Sequence, residues 1–196
     1  KNGIKTKNNN YIVFNNATIH INSEKTIQNG TLVIQKDKII SVGNHVNIPK
    51  NSIVIDLKGK HIYSSFIELY SSIGIAKKKR KPIPITPQYK TTKTGPYYWN
   101  EAIRPEYNAV EHYQYKEKEV KEFLKKGVGT VLSHQKDGIA RGTGTLVALK
   151  KDKNKSVLDN TAACFFSFQK GSSNQIYPTS LMGCIALLRQ FYYDSE

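Results

Sequence analysis

Hydrophobic and polar residues alternate along the first third of the chain, from Tyr11 to Tyr63. Three stretches, ATIHI, TLVIQ and IVIDL, show a period of two, which is typical of short strands. The QKDK stretch at 35–38 has the composition of a hairpin turn. Three glycines divide the rest of this region: Gly30, Gly43 and Gly59. The pattern predicts a small antiparallel sheet or half of a β-sandwich.

Prolines and lysines interrupt any period between Ala76 and Tyr107. Such a long connection inside a compact domain tends to be functional or mobile. It contains a basic run, 77–81, followed by prolines and without interleaved aromatic residues. We expect this run to be a solvated loop rather than a nucleic-acid or membrane patch. The connection ends in an aromatic cluster, Tyr97, Tyr98 and Trp99, which either packs in a core or lines a pocket.

The pattern changes after Lys116 to an alternation of helices and strands. KEKEVKEFLKKG places three apolar residues on one helical face and a glycine just past the end, which predicts a helix that stops at Gly127. VGTVLSH follows as a buried strand, then GIARGTG as a glycine-rich turn, and then the apolar stretches TLVALK and ACFFSF. Strand, helix and strand in this order imply a parallel βα arrangement.

A second helix is predicted near the end of the chain, after the capping residues Pro178, Thr179 and Ser180. Its helical spacing places four apolar residues on one face: Leu181, Ile185, Leu188 and Tyr192. Because the sheet shows no sign of closing before Glu196, we expect these apolar faces and the strand edges to need cover from another segment or chain.

Charge and composition add limits to this picture. The chain has 196 residues, with 30 Lys and Arg against 15 Asp and Glu, and a formal net charge of +15. The lysines are scattered, so no nucleic-acid partner is expected, and a polyanion binder remains an alternative that rests on charge alone. No apolar run approaches the roughly 20 residues that span a bilayer.

The chain begins with Lys1, and its single methionine is Met182. A polar opening of this kind often follows a cleaved targeting segment, so we expect a periplasmic or secreted protein, with a cytoplasmic one as the alternative. Two cysteines, Cys164 and Cys184, lie in apolar surroundings and are expected to be small buried hydrophobes.

The order of these segments resembles the amino-terminal part of the amidohydrolase superfamily, in particular its imidazolonepropionase-like branch. Four segments show this resemblance: YIVFNNATIHINSEKTIQNGTLVIQKDKIISVG, VIDLKGKHIY, KGVGTVLSHQKDGIARGTGTLVALK and PTSLMGCIALLRQFYYD. The resemblance covers about Tyr11 to Glu196. It implies an α/β protein with an all-β subdomain, in which a small composite β-sandwich, 1–65, precedes the first part of a TIM (β/α)8 barrel, 66–196.

The first barrel strand departs from the family pattern GK-x-hydrophobic-x-P-G-F-I-D-x-H-x-H-x-G. The matching positions are Gly59, Lys60, Phe66, Ile67, Ile73 and Gly74, whereas Ser64 and Ser65 replace Pro-Gly and Glu68 replaces the aspartate. Tyr70 and Ser72 stand where the family has two metal-binding histidines. Tyrosine and serine are poor neutral ligands for zinc. Glu68, Tyr70 and Ser72 therefore either orient a substrate or a harder ion, or fill the top of a barrel without its metal.

Two further residues are candidates for the same pocket. His134 follows a buried strand at the end where barrel chemistry takes place, with a structural or supporting role as the alternative. Arg141 lies beside Gly142 and Gly144 and could hold an anionic substrate group. The remaining histidines carry no assignment: His20 and His45 are expected on the surface, and His61 and His112 have no expected role.

The resemblance implies a hydrolase that cleaves carbon–nitrogen bonds other than peptide bonds in a small-molecule substrate, here represented by an incomplete amino-terminal portion. The alternative is a non-catalytic binding or scaffold descendant of the same fold. No cofactor is predicted for this segment, and a divalent metal is possible only if later strands supply ligands. The expected partners are the rest of the barrel or another chain, with a homo-oligomer as one form, and the segment alone is expected to be inactive.

Overall fold

The structure is a computed structural model that describes residues 11–78, 85–88, 99–151 and 156–196. The chain divides into two compact units, Lys1–Ser64 and Ser65–Glu196. Helices and strands both occur, and strands predominate. In the described ranges no helix has the length and apolar character needed to cross a membrane.

The first unit contains one five-stranded sheet. Its strands are β1 (Tyr11–His20), β2 (Thr26–Gln35), β3 (Lys38–Gly43), β4 (Ile53–Asp56) and β5 (His61–Ile62). The order is β3-β2-β1-β4, and β5 also pairs with β1. The β2–β3 connection is the predicted hairpin, since Gln35 pairs with Lys38 and Lys36 has a φ of 58°. The sheet is consistent with one half of a β-sandwich.

Strand direction in this sheet differs from the antiparallel prediction. β1, β2 and β3 are antiparallel neighbours, but β4 and β5 run parallel to β1. β3 lies at one edge of the sheet and β4 on the far side of β1. The chain therefore passes from the β3 edge to the other side of β1, where β4 runs in the same direction as β1. Alternation of side chains defines the faces of a strand, not the direction of its partner.

Where it is described, the second unit contains a four-stranded sheet and three helices. The strands are β6 (Phe66–Ser71), β7 (Val128–Ser133), β8 (Ala140–Ala148) and β9 (Val157–Phe166), and the helices are α1 (Ala109–His112), α2 (Glu117–Lys125) and α3 (Leu181–Tyr193). The strand order is β6-β7-β8-β9. β6 and β7 are parallel and enclose α1 and α2 in sequence, as the predicted βα arrangement requires. β8 and β9 continue the sheet antiparallel, which that arrangement did not predict.

The GIARGTG segment is strand rather than the predicted turn, because β8 begins at Ala140. Its glycines serve close packing. Gly142 has a φ of 72°, and a Cβ at this position would lie 2.1 Å from the carbonyl oxygen of Tyr107. At Gly144 an added Cβ would lie 2.5 Å from the ring of Phe165. Glycine here allows a loop and an aromatic ring to approach the strand backbone.

Two hydrophobic cores hold the second unit together. The first includes Ile73, Ile75, Ala109, Tyr113, Val120, Val131, Val147 and Leu149, and the second includes Ala102, Ile103, Ile139, Ala140, Cys184 and Leu187. α2 contributes Val120 to the first core, and the chain leaves α2 through Gly127, whose φ of 80° confirms the predicted glycine stop. Within each core, residues from distant parts of the sequence meet.

The last helix and the cysteines differ in part from the sequence prediction. α3 buries Cys184 and Leu187; Leu181 and Ile185 are exposed, as expected of an apolar face that needs cover, but Leu188 packs at the edge of the core. Cys184 is buried as predicted, but Cys164 on β9 is exposed. Among the strands that the structure describes, β9 is the last in the order of its sheet and pairs with β8 alone.

Candidate functional site

The carboxyl end of β6 opens into a cavity of about 630 Å³. Glu68, Tyr70 and Ser72 all line this cavity, together with Lys116 and Lys136. Glu68 and Tyr70 are alternate residues of β6, which point to the same side of a strand, and Ser72 follows directly after the strand. Glu68 Oε1 accepts a hydrogen bond of 2.9 Å from the backbone N–H of Tyr70. The carboxylate is therefore tied to its own strand.

Two cationic side chains converge on Tyr70. Arg141 Nη1 donates to the Tyr70 hydroxyl at 2.9 Å. Lys136 Nζ donates to the Tyr70 carbonyl oxygen at 2.9 Å and lies 4.1 Å from the centre of its ring. A cation over an aromatic face is attracted by the ring quadrupole. The end of β6 is thus positively charged.

His134 lies behind Tyr70 and is completely buried. Its backbone N–H donates to Ser71 O at 3.0 Å, which places it directly beyond β7 and beside the end of β6. The imidazole lies 4.7 Å from the Tyr70 ring and stacks on Phe165 at 3.5 Å. Within the described ranges neither imidazole nitrogen has a hydrogen-bond partner.

The surroundings of His134 keep its imidazole neutral. Burial lowers the pKa of His134 to about 4, and the charges of Lys136 and Arg141 act in the same direction. A neutral imidazole has one N–H donor and one acceptor nitrogen.

The loop that carries Lys136 is fixed by its neighbour Asp137. Arg104 Nη1 pairs with Asp137 Oδ2 at 2.5 Å, and both side chains are largely buried. Ser172 donates to the same carboxylate through its backbone N–H at 2.6 Å and its hydroxyl at 2.7 Å. Burial raises the pKa of Asp137, but the Ser172 hydrogen bonds and Arg104 outweigh it and lower the pKa overall. The ionised carboxylate anchors this loop beside the cavity.

The sequence-predicted candidates fall into one neighbourhood. The Tyr70 ring contacts the His134 imidazole, and Arg141 donates a hydrogen bond to the Tyr70 hydroxyl. Glu68 and Ser72 line the same cavity as Tyr70. Two other residues of this neighbourhood, Lys136 and Phe165, were not predicted from the sequence. Lys136 follows His134 by two residues, and this spacing was the available signal in the sequence. Phe165 belongs to a distant strand, so no local pattern marks its contact with His134.

Two other predicted features are only partly described. Residues 79–81 of the basic run, and Tyr97 and Tyr98 of the aromatic cluster, lie outside the described ranges. Trp99 is partly exposed, and its carbonyl oxygen accepts a hydrogen bond of 3.1 Å from Gln175 Nε2.

The residues at the end of β6 do not fit a transition metal. Among the described residues no three His, Cys, Asp or Glu side chains lie close enough together to hold a metal ion. Tyr70 and Ser72 offer a phenol and a hydroxyl, and the Tyr70 phenol already accepts a hydrogen bond from the Arg141 cation. Two positive charges beside this position oppose the entry of a third.

Solved structures similar to this chain include an amidohydrolase from Thermotoga maritima MSB8, at 20% sequence identity and a TM-score of 0.70. The match covers 93% of this chain and 46% of that one, so the present chain spans about half the length of its neighbour. At this identity the likeness shows the fold alone.

Two shorter matches carry no structural argument. They are an amidohydrolase at 25% identity and a prolidase complexed with N-methylphosphonate-L-proline at 19% identity, each with a TM-score of 0.30. The first covers 33% of this chain and 16% of that one, and the second covers 36% and 17%. No protein-family model matches the sequence, and no curated protein matches it.

Proposed function

We propose that this chain is part of a hydrolase that cleaves carbon–nitrogen bonds other than peptide bonds, and that its cationic site binds an anionic group of a small substrate. The observation that carries this proposal is the convergence of Arg141 and Lys136 on Tyr70 at the carboxyl end of β6. The amidohydrolase fold of the Thermotoga neighbour supports the class of reaction. A shared fold does not determine the substrate, so the anionic substrate group is inferred from the cationic side chains of the site.

The binding step follows from the chemistry of the two cations. Arg141 is buried and uses Nε for the Gly138 carbonyl oxygen and Nη1 for Tyr70, which leaves other guanidinium N–H groups for a ligand. A carboxylate can accept two parallel hydrogen bonds from such a group. Lys136 is exposed at the cavity and adds a second positive charge. His134 is neutral and so does not compete for the anion.

The rest of the architecture completes the proposal. In this proposal 66–196 are the first part of a TIM barrel, begun by the parallel strands β6 and β7 and extended by the antiparallel β8 and β9, and 1–65 are part of a composite β-sandwich. The imidazolonepropionase-like branch is the proposed relative, because the order of its motifs runs through the whole chain. Groups that activate water, including any divalent metal, belong to later strands of such a barrel. The 196-residue segment alone is therefore expected to be inactive.

The test uses the full-length protein and pairs of cyclic amides that differ only in a carboxylate. We expect hydrolysis of the carboxylate-bearing member to lose binding in Arg141→Ala, seen as a higher KM, while the neutral analogue changes little. Lys136→Ala should show a smaller effect of the same kind. Lys126→Ala, an exposed lysine at the end of α2, is the control.

Two results would overturn different parts of the proposal. Absence of any carbon–nitrogen hydrolysis by the full-length protein contradicts the reaction. Equal losses for the carboxylate-bearing and neutral substrates in Arg141→Ala contradict the anionic substrate group and leave the reaction standing.

A non-catalytic binding protein is the second candidate. This candidate is favoured because Arg141 and Lys136 lie at Tyr70, where a metal enzyme of this fold would hold its ion. This candidate predicts that the full-length protein binds carboxylate ligands through Arg141 without turnover. Calorimetry with the same substrate pairs distinguishes it, since binding heat without product formation supports it.

A further inference from the structure

Two histidines of the first unit, His20 and His61, contact each other. His20 ends β1 and His61 begins β5, the strand that runs parallel to β1. His20 Nε2 lies 2.9 Å from His61 Nδ1. The rings are nearly parallel, with centroids 5.1 Å apart. The two imidazoles therefore meet edge to edge through their nitrogens.

Two neighbours fix the orientation of His20. Thr26, its partner across the β1–β2 ladder, places Oγ1 3.2 Å from His20 Nδ1. Tyr63 stacks on the imidazole at 4.2 Å with an interplanar angle of 5°. In the tautomer that carries its proton on Nδ1, His20 donates to Thr26 and turns the Nε2 lone pair toward His61. A hydrogen bond on the second nitrogen is the usual support of a metal-binding histidine.

The separation of the two nitrogens suits one class of metal. Two nitrogens at about 2.0 Å from an ion and at a right angle to each other are about 2.8 Å apart. This is the arrangement of neighbouring ligands in a tetragonal Cu²⁺ site, where water can occupy the remaining positions. Zinc in proteins ordinarily takes at least three protein ligands, and here two are present.

We propose that His20 and His61 form a binding site for a divalent late transition metal, with Cu²⁺ as the best fit. The ion replaces the hydrogen bond between the two rings. His61, which is exposed, rotates so that Nδ1 points to the ion and holds its proton on Nε2. Thr26 and Tyr63 keep His20 in place.

The test titrates Cu²⁺ into the full-length protein in a Cys164→Ser background, because the exposed thiol of Cys164 would reduce the ion. Calorimetry gives the stoichiometry and affinity, and electron paramagnetic resonance detects coordinated nitrogens. We expect one ion per chain with two imidazole nitrogens. His20→Ala and His61→Ala should each weaken binding at least about tenfold, and Thr26→Val about tenfold.

His45→Ala is the matched control, since His45 is an exposed loop histidine of the same unit and should leave binding unchanged. Far-ultraviolet circular dichroism checks that each variant is folded. Unchanged affinity and spectrum in the double variant H20A/H61A would overturn the proposal, as would the absence of saturable binding at one equivalent of Cu²⁺.

Discussion

His134 is a buried imidazole with an aromatic ring on either side and two cations nearby. Burial and the two cations disfavour the protonated form. Burial removes water from the charge, and Lys136 and Arg141 repel it. Protonation of His134 therefore destabilises the folded state relative to the unfolded chain, in which the imidazole is exposed to water.

We predict that acidification destabilises the protein through His134. Its pKa falls from 6.5 in the unfolded chain to about 4 in the fold, so the unfolded state binds the proton first as the pH drops. Stability should decline between about pH 6.5 and pH 4, by up to about 3 kcal/mol. Urea unfolding of the full-length protein at several pH values measures this.

His134→Phe is the matching variant, because it keeps an aromatic ring against Phe165 and removes the titration. Its stability should decline less between pH 6.5 and pH 4 than that of the wild type. Parallel declines in the two proteins, or an imidazole resonance of His134 that titrates above pH 6, would contradict the prediction.

A second prediction at the residue scale concerns Gly142. Alanine at this position would combine a φ of 72° with a Cβ 2.1 Å from Tyr107 O, so the loop or the strand must move. We expect Gly142→Ala to lower the free energy of unfolding by roughly 1–3 kcal/mol. Gly43→Ala is the control, with its nearest atom at 3.6 Å and an expected change within about 0.5 kcal/mol. Equal stability of the two variants would count against this packing argument.

At the scale of elements, the ends of α2 and α3 illustrate what local chemistry determines. Ser180 caps α3 by accepting a hydrogen bond of 3.1 Å from the N–H of Gly183, and Gly127 follows α2 in a left-handed conformation. Both features depend on residues within one turn of the helix. This is why the sequence alone predicted both helix boundaries.

We expect Ser180→Ala to destabilise the protein by about 1 kcal/mol, because the amide of Gly183 loses its acceptor. Thr179→Ala, one residue earlier and exposed, provides the comparison and should have a smaller effect. Thermal unfolding followed by circular dichroism measures both. A larger loss for Thr179→Ala would show that the cap has been assigned to the wrong residue.

Features that depend on distant residues were not predictable in the same way. Alternation identified the strands of the first sheet but not the parallel direction of β4 and β5. The glycines of β8 suggested a turn, since their use in close packing depends on Tyr107 and Phe165. Tyr70, His134 and Arg141, which the sequence predicted for one pocket, lie together, whereas the His20–His61 contact joins two strands that are distant in the sequence.

At the scale of the whole molecule, β6 and α3 are among the elements of the second unit that expose apolar side chains. On β6 they are Phe66, Ile67 and Leu69, and on α3 they are Leu181, Met182 and Ile185, with exposed fractions between 42% and 80%. β6 is also an edge strand of its sheet. Apolar residues on a free edge favour pairing with another chain. The net charge of +15 opposes such association and is screened by salt.

We therefore predict that the 196-residue segment alone self-associates, and more strongly as salt is added. Size-exclusion chromatography with light scattering at low and high salt measures this, and binding of a hydrophobic dye reports the exposed surface. The full-length protein is the control and should bind less dye per chain. A monomeric segment with a sharp unfolding transition at high salt would contradict the prediction.

The antiparallel run of β7, β8 and β9 also has a consequence for the order of folding. Each of these strands pairs with its neighbour in sequence, so closing the ladder costs little chain entropy. β6 must instead find Val128 and Thr130 across the whole connection that contains α1 and α2. Non-local pairing is slow, because the loop closes before its contacts form. In pulse-labelled hydrogen exchange, we expect the amides shared by β7, β8 and β9 to become protected before those of β6.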